Sequence, residues 1–271
     1  MIKNKVVAQA IEYILYHLRD NITIEDVAAH CYLSVSRLST IFKEETGESV
    51  YAFIKRLKLE QSALCIKAGS GKSLTDIGET YGYSASNYSS AFSQYYKKSP
   101  SVFRNEWRNE WKVSAKDKEK ILEEIDQKVR IENKPEYTIV YERYIGNYRD
   151  LKKDWNAFCE KYQEYVDEDT IFMERDFDDP TITDEDHCIY EIGMTVRHPE
   201  NFENTCVLEG GKYVVYPFAG YLDEIKCLHQ NLMGVWFPLR GYELDTRYSY
   251  DRYYLVREDD YMEFDICIPI K

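Results

Sequence analysis

Apolar side chains recur at helical spacing in two early stretches of the chain, 23–42 and 73–92, which lie 50 residues apart and superpose position by position. Each copy begins with a hydroxyl residue three positions before an aspartate, as with Thr23 and Asp26, a pattern close to a capping box. A short polar stretch then separates two apolar-faced segments. The pattern therefore predicts a helix, a turn and a second helix, made twice.

The second helix of each copy combines an apolar face with a face of small hydroxyl residues. The two hydroxyl faces comprise Ser36, Ser39, Thr40, Ser86, Ser89 and Ser90. Small side chains let a helix approach a surface closely, and their hydroxyls can contact base edges or phosphates in the major groove of DNA. Each serine alone could equally be a solvated surface residue, but a purely structural bundle has no reason to keep this face twice. The repeat therefore favours two helix-turn-helix units.

Residues 51–67, between the two copies, have the pattern of one long helix. Such a helix is about 25 Å long at 1.5 Å per residue, and successive major grooves on one face of a duplex lie roughly 34 Å apart. A stiff connection of this length could hold the two recognition helices in adjacent grooves. One chain could then read an asymmetric DNA site without dimerising.

A second internal repeat, with the alternation typical of strands, occupies the rest of the chain. Segments 138–146 and 212–220 align with an offset of 74 residues, and segments 190–196 and 264–270 share that offset. Each repeat predicts a strand, a helix and two further strands. The predicted elements are strand 137–144, helix 151–165, strand 171–176, strand 188–196, strand 212–218, helix 222–235, strand 249–256 and strand 262–270. Two such halves are expected to pair across a pseudo-two-fold axis, with a concave pocket between them.

The two kinds of repeat divide the 271 residues into two domains. We predict a multi-domain protein with an all-α double helix-turn-helix domain over 1–112, a charged, solvated and partly helical linker over 113–128, and an α+β domain of two strand-helix-strand-strand repeats over 129–271. Of the formal net charge of −13, residues 1–112 carry +3 and the remainder −16. This asymmetry suits a polyanionic partner for the first domain alone.

Several classes of protein are disfavoured. No apolar stretch reaches the roughly 20 residues that span a bilayer, and the amino-terminal segment carries charges where a signal peptide is apolar, so we expect a cytoplasmic protein without a membrane partner. The seven cysteines are scattered and never spaced Cys-x-x-Cys, which predicts neither disulfides nor a zinc site. There is no nucleophile elbow and no glycine-rich phosphate loop. We therefore expect no metal, no cofactor and no catalytic residues.

The first domain resembles the DNA-binding domain of the AraC/XylS family of transcription regulators over residues 4–108. The resemblance rests on a leading helix, the two helix-turn-helix units, the connecting helix and the closing SQYYKKSPSVFR, in the family's order. It implies base contacts from Ser36, Ser39, Thr40, Ala85, Ser86 and Ser90. The other predicted DNA contacts are Arg37, Lys43, Asn87, Lys97 and Lys98, with Arg56 and Arg104 as further phosphate contacts. Because the base-contacting positions lack the Arg and Gln that make bidentate contacts, we expect modest base discrimination.

The second domain resembles the GyrI-like ligand domain of multidrug-responsive regulators over residues 129–271. The resemblance rests on RYIGNY, YEIGMTV, LEGGKYVVYPFAG, WFPLRGYELDTRYSYDRYY and FDICIPI. It implies a fold with a small-molecule pocket, in which an acid at Asp251 faces the ligand. The residues predicted to line the pocket are Trp236, Asp251, Tyr253, Tyr190 and Glu191. Sixteen of the 25 tyrosines lie in this acidic part of the chain, a composition that favours a cationic or aromatic ligand.

Three functions remain open from the sequence. The first is a ligand-responsive transcription regulator that binds double-stranded promoter DNA and a small-molecule effector; the family resemblance favours an activator, with RNA polymerase as a further partner. The second is a hydrolase that uses a pocket acid of the GyrI-like domain on a reactive small molecule. The third is an acidic protein-interaction module. The first accounts for both repeats and is our prediction, so we expect a protein that is not an enzyme.

Overall fold

The computed structural model describes residues 1–69, 71–110, 114–179 and 182–271. The chain divides into two compact units, one that covers residues 1–112 and one that covers most of the chain from 113 onward. Within the described ranges, every helix is too short or too polar to cross a membrane.

The first unit is helical. Its helices are α1 (Lys5–Tyr16), α2 (Ile24–His30), α3 (Val35–Thr46), α4 (Val50–Lys67), α5 (Leu74–Thr80), α6 (Ala85–Tyr96) and α7 (Pro100–Glu110). Helices α2 and α3 form the first helix-turn-helix and α5 and α6 the second, as the repeat predicts. Helix α4 is the predicted connecting helix.

The repeated hydroxyl residues begin the helices. Thr23 and Ser73 each close a capping box with the aspartate three positions later, at the start of α2 and α5. Ser34 and Ser84 cap α3 and α6, where each side chain accepts a hydrogen bond from a backbone N–H three residues on. Part of the serine repeat is therefore structural, since it fixes where each recognition helix starts.

The apolar faces of the two copies pack on α4 in the same way. Phe42 of α3 meets Phe53 of α4 edge to face at 5.2 Å, and Phe92 of α6 meets Phe103 of α7 edge to face at 5.4 Å. These pairs lie 50 residues apart, so the sequence repeat is also a repeat of the core. Edge-to-face aromatic pairs add to the stability that burial alone provides.

Helix α4 also carries a buried ion network. The Arg56 guanidinium is 4% exposed and pairs with Glu48 at 2.9 Å and Glu60 at 3.1 Å. Tyr95 of α6 donates to the Glu60 carboxylate at 2.6 Å. The predicted phosphate contact at Arg56 is therefore wrong, because two carboxylates hold this side chain inside the protein.

The second unit is an antiparallel sheet with helices. Its strands are β1 (Arg130–Lys134), β2 (Tyr137–Gly146), β3 (Phe172–Asp176), β4 (Cys188–Thr195), β5 (Thr205–Leu208), β6 (Gly211–Tyr221), β7 (Tyr250–Val256) and β8 (Tyr261–Pro269). Its longer helices are α8 (Ala115–Asp126), α9 (Leu151–Tyr162) and α10 (Leu222–Asn231). A π-helical turn over Leu232–Trp236 continues α10 into the short helix α11 (Phe237–Arg240). The predicted α+β fold is confirmed.

The sheet obeys the repeat in its hydrogen-bond register. The strand order is β1-β6-β8-β7-β3-β4-β2-β5, which reads as two equivalent halves that meet at β7 and β3. Ile139 pairs with Thr195 and, 74 residues later, Tyr213 pairs with Pro269. The halves also exchange their edge strands, because β1 pairs with β6 and β5 with β2. The sequence pattern did not predict these two short strands.

Residues 115–126, within the predicted linker, form helix α8 as an integral part of the second unit. Ile125 is 3% exposed and lies in the core cluster formed with Phe264, Ile266 and Trp236, and Ile121 packs against the same cluster. The solvated character predicted for this segment is confined to the opposite face, because only a narrow apolar stripe at 121, 122 and 125 reaches the core.

Candidate DNA-binding surface and ligand site

The predicted base-contacting side chains all lie on accessible surface. Ser36 and Thr40 of α3 and Ala85, Ser86 and Ser90 of α6 are exposed, and Ser39 is half-buried. The Thr40 hydroxyl donates to the Ser36 carbonyl at 3.1 Å, one turn earlier in α3. The two hydroxyl faces occupy equivalent positions in the two helix-turn-helix units, because α3 and α6 start at matching caps.

The predicted basic and amide contacts differ in how freely they can reach a phosphate. Arg37 and Lys43 of α3, and Asn87 of α6, are exposed. Lys97 is exposed and its ammonium donates to the carbonyl of Gln94 at 2.8 Å. The side chain of Lys98 is 40% exposed and pairs with Glu106 at 2.6 Å.

Arg104 is more restrained than the other predicted contacts. Its guanidinium donates to the Lys72 carbonyl at 3.1 Å. Partial burial, with the nearby Arg108, lowers the pKa of Arg104 below its usual value. The side chain therefore fixes the loop before α5 as well as facing solvent in part.

Three carboxyl groups meet where the two halves of the sheet join. Glu174 of β3 lies directly opposite Asp251 of β7 in the register, and Asp176 follows two positions along β3 on the same face. Glu174 is 3% and Asp251 9% exposed. The third strands of the halves align with an offset of 77 rather than 74, since Tyr250 and Met173 are the partners of β8 and β4 there. Glu174 and Asp251 are equivalent at this offset, so the pseudo-two-fold axis passes between them.

The groups that bond to this acid cluster (Glu174, Asp176 and Asp251) are neutral. Glu174 accepts hydrogen bonds from the Trp155 indole at 3.1 Å and the Tyr253 hydroxyl at 3.0 Å. Asp176 accepts a hydrogen bond from the Tyr148 hydroxyl at 3.3 Å. Asp251 accepts no hydrogen bond from any side chain or backbone group in the described ranges. In those ranges no Lys, Arg or His forms an ion pair with any of the three acids.

Burial without a counter-ion changes the protonation of the cluster. Burial, together with the Asp176 charge, raises the pKa of Glu174 well above its usual value. Burial raises the pKa of Asp176 to about 6, although hydrogen bonds from Glu174 and Tyr148 oppose the shift. Burial and the two neighbouring acids raise the pKa of Asp251 well above its usual value. Desolvation penalises each carboxylate because nothing nearby compensates its charge.

Aromatic rings surround the acid cluster. The Tyr253 ring stacks on Phe264 with centroids 4.9 Å apart and meets Trp155 at 5.2 Å. Tyr190 stacks between Tyr144 and Tyr148 at 5.2 and 5.1 Å. The Tyr190 hydroxyl donates to Asp154 at 2.6 Å. Of the predicted pocket residues, Asp251, Tyr253 and Tyr190 thus lie on this side of the sheet.

The other two predicted pocket residues lie elsewhere. Glu191 points to the opposite side of the sheet from Tyr190, where it is buried in ion pairs with Arg143 and Arg175. Trp236 is buried in the core beside α8, where its indole donates to Asp126 at 2.8 Å. The structure does not bring either residue to the acid cluster.

Sequence reasoning missed the partners of Asp251. Glu174 and Asp176 alternate with apolar residues in IFMERD, so a strand there places both acids on one face. Their equivalence to the Asp251 strand is hidden by the change of offset from 74 to 77. Within the described ranges there is no cluster of three His, Cys, Asp or Glu side chains arranged to hold a metal ion.

Comparison with known proteins places both units in families. Residues 127–271 match the GyrI-like small molecule binding domain. Residues 27–106 match a helix-turn-helix domain of the AraC type.

Known regulators are similar to this chain over one or both units. Regulatory protein PocR of Salmonella typhimurium is 33% identical over 99 residues, which are 36% of this chain, so the chain spans about a third (32%) of that protein's length. Transcriptional regulator Rob of Salmonella typhimurium is 20% identical over 257 residues, 88% of this chain and 86% of Rob. A solved EcmrR-DNA complex is 12% identical with a TM-score of 0.46, over 92% of this chain and 98% of that one. The chain belongs to the family defined by the GyrI-like small molecule binding domain, and it carries an AraC-type helix-turn-helix domain ahead of it.

Proposed function

We propose that this protein is a DNA-binding transcription regulator whose second unit senses a small cation. One observation carries the ligand half of the proposal: three buried acids share one side of the sheet and bond only to neutral donors. The twofold exposed hydroxyl face of the helical unit supports the DNA half. Membership of a small-molecule-binding family supports the coupling of the two.

The DNA half depends on α3 and α6. Their exposed small side chains would enter the major groove, with base edges met by Ser36, Ser39 and Thr40 and by Ala85, Ser86 and Ser90. Phosphate contacts would come chiefly from Arg37, Lys43, Asn87 and Lys97, which are exposed. Lys98 would first have to leave Glu106. Small hydroxyl contacts position a helix more than they discriminate bases, so affinity should depend strongly on salt and modestly on sequence.

The ligand half depends on Asp251, Glu174 and Asp176, with rings such as Tyr253 and Tyr190 around them. A carboxylate taken out of water is costly unless a cation accompanies it. A bound cation would return the missing charge compensation, while the aromatic faces would hold a flat ligand body by stacking and cation–π attraction. The ligand class that fits is a cationic aromatic compound.

The sign of regulation that we propose is activation, which the resemblance to AraC/XylS regulators favours. Activation at a promoter would add RNA polymerase as a third partner. By linkage, a ligand that changes DNA affinity must have its own affinity changed by DNA through the same factor.

A thermal-shift experiment on the intact chain tests the ligand half. Cationic, neutral and anionic aromatic compounds of similar size are compared on the wild type, Asp251→Asn and Glu160→Gln, the last on the exposed surface of α9. A ligand at 100 times its dissociation constant stabilises by about 2.7 kcal/mol. We expect stabilisation by cations alone, retained in Glu160→Gln and weakened in Asp251→Asn. Equal shifts from neutral or anionic compounds, or none from any compound, would contradict the proposal.

The same acids favour a second candidate, hydrolysis of a reactive small molecule. A buried carboxyl with a raised pKa, such as Glu174, holds the proton that a general acid gives away. Mass spectrometry of each stabilising compound, before and after incubation, separates binding from turnover. Products that appear with wild type but not with Glu174→Gln would establish hydrolysis; unchanged compound would remove it for that ligand.

A further inference from the structure

We propose that the acid cluster takes a dication, an aromatic body with a positive group at each end, in preference to a monocation of the same shape. This inference rests on the proposed function, since it concerns the ligand of the same site. It narrows the class of ligand from any cationic aromatic compound to one with two separated charges.

The spacing of the carboxyl groups supports two points of charge contact. Glu174 and Asp251 are direct cross-strand neighbours, whose Cβ atoms in such pairs lie about 5 Å apart. Asp176 lies two residues along the same strand as Glu174, a separation of about 7 Å in extended chain. The three acids thus form two adjacent sites along the join of the halves rather than one point.

Hydrogen bonding leaves two of the three acids in need of a cation. Asp251 is about nine-tenths buried and accepts no hydrogen bond within the described ranges. Glu174 and Asp176 bond to each other through one shared proton, and otherwise only to the hydroxyls of Tyr253 and Tyr148 and the indole of Trp155. One positive charge beside Asp251 would leave the Glu174 and Asp176 pair uncompensated. A second positive charge would displace the shared proton and pair with it.

The surroundings of the cluster contain no protein cation that could act as the second charge. The side chains that bond to it come from α9, from β7 and from the turn before α9, and they are indole or phenol groups. Asp154 of α9, which accepts from Tyr190, adds another acid near the aromatic wall. Stacked rings on both sides, including Tyr253 on Phe264, suit a flat body between the two charges.

Two ligands that differ in one charge test this proposal. The affinity of the intact chain is measured by isothermal titration calorimetry for p-xylylenediamine and for 4-methylbenzylamine, which has the same ring and length but one ammonium. A hydrogen-bonded charge pair typically contributes about 1.5–3 kcal/mol, so we expect the diamine to bind at least about tenfold more tightly. Asp176→Asn should narrow this ratio, while Glu160→Gln should preserve it. Thermal unfolding of each variant confirms that it is folded.

The outcomes distinguish this inference from the function on which it rests. Equal affinities for the two amines in the wild type would overturn the preference for a dication and leave cation sensing in place. A tenfold preference that survives in both Asp176→Asn and Glu174→Gln would overturn the assignment to this cluster. Binding of neither amine would overturn both the preference and the sensing of small aromatic cations.

Discussion

Two aspartates in neighbouring strands show how the environment of a residue decides its chemistry. Asp265 of β8 is 3% exposed, and its carboxylate receives the Arg130 guanidinium at 3.1 Å and the Tyr254 hydroxyl at 2.7 Å. Asp251 of β7 is nearly as buried but faces the other side of the sheet, beside two more acids. The first is a satisfied structural group, whereas the second is a charge that the free protein holds at a cost.

Replacing Asp251 should therefore stabilise the free protein at neutral and alkaline pH. Burial raises the pKa of Asp251, so the folded carboxyl keeps its proton at a pH where the unfolded one has lost it, and folding stability falls as the pH rises. Asp251→Asn removes that loss, and we expect a gain on the order of 1–2 kcal/mol at pH 8 that shrinks towards pH 5. Urea unfolding at the two pH values measures it.

Asp265→Asn is the matched control for this experiment. It removes the same charge from a buried strand position that has partners, and it should destabilise the protein at both pH values because Arg130 and Tyr254 lose their acceptor. A loss of stability at pH 8 in Asp251→Asn would contradict the account of the acid cluster.

The sequence reaches only part of the ligand site at the residue scale. Asp251 and Tyr253 follow from the resemblance to a known ligand domain, and alternation along β3 could have added Glu174 and Asp176. It cannot show that the Trp236 indole donates to Asp126, 110 positions earlier in the chain. That contact depends on packing between elements distant in sequence.

At the scale of elements, α4 is tied to both helix-turn-helix units. Its Arg56 pairs with Glu48, which precedes α4, and with Glu60, which holds Tyr95 of the second unit's recognition helix. Arg56→Ala should destabilise the protein by about 3 kcal/mol, because two buried carboxylates lose their counter-ion. Urea unfolding followed by helical circular dichroism measures this loss. The exposed Arg37→Ala should stay within about 0.5 kcal/mol; similar losses in the two variants would contradict a special role for Arg56.

Helix α8 gives a second prediction about an element. Ile125→Ala should cost about 2–4 kcal/mol, because it opens a cavity in the core of the second unit. The exposed Glu123→Ala, on the same helix, should change stability little. Chemical unfolding of both variants compares them, and an equally small effect of Ile125→Ala would mean that α8 is only a spacer.

The elements themselves were largely predictable, and the exceptions have a common cause. The helix-turn-helix repeat and the six main strands follow from periodicity and from two internal offsets. Strands β1 and β5 escaped because each is short and pairs with the opposite half of the sheet. The apolar stripe of α8 escaped because charged residues outnumber its few buried positions. In both cases the partner is remote in sequence.

At the scale of the whole molecule, the charge is divided between DNA-binding and ligand-binding parts. Residues 1–112 carry +3 and the rest −16, so only the first unit suits a polyanion. Arg37→Ala and Lys97→Ala should each weaken DNA binding across sequences and reduce the slope of log affinity against log salt by about 1. Fluorescence anisotropy over a range of salt concentrations measures the slope. Slopes unchanged from wild type would remove these residues from the interface, and Glu160→Gln serves as the control.

The coupling between ligand and DNA tests the central claim most directly. A duplex selected by the protein from a random pool is titrated with and without saturating p-xylylenediamine, for the wild type and for Asp251→Asn. Allosteric coupling is typically about 1–3 kcal/mol, so the ligand should change the Kd for DNA by roughly 5- to 150-fold in the wild type and by much less in the variant. An unchanged Kd in the wild type at a ligand concentration that saturates its second unit, or failure to select any duplex, would contradict a ligand-responsive DNA-binding regulator.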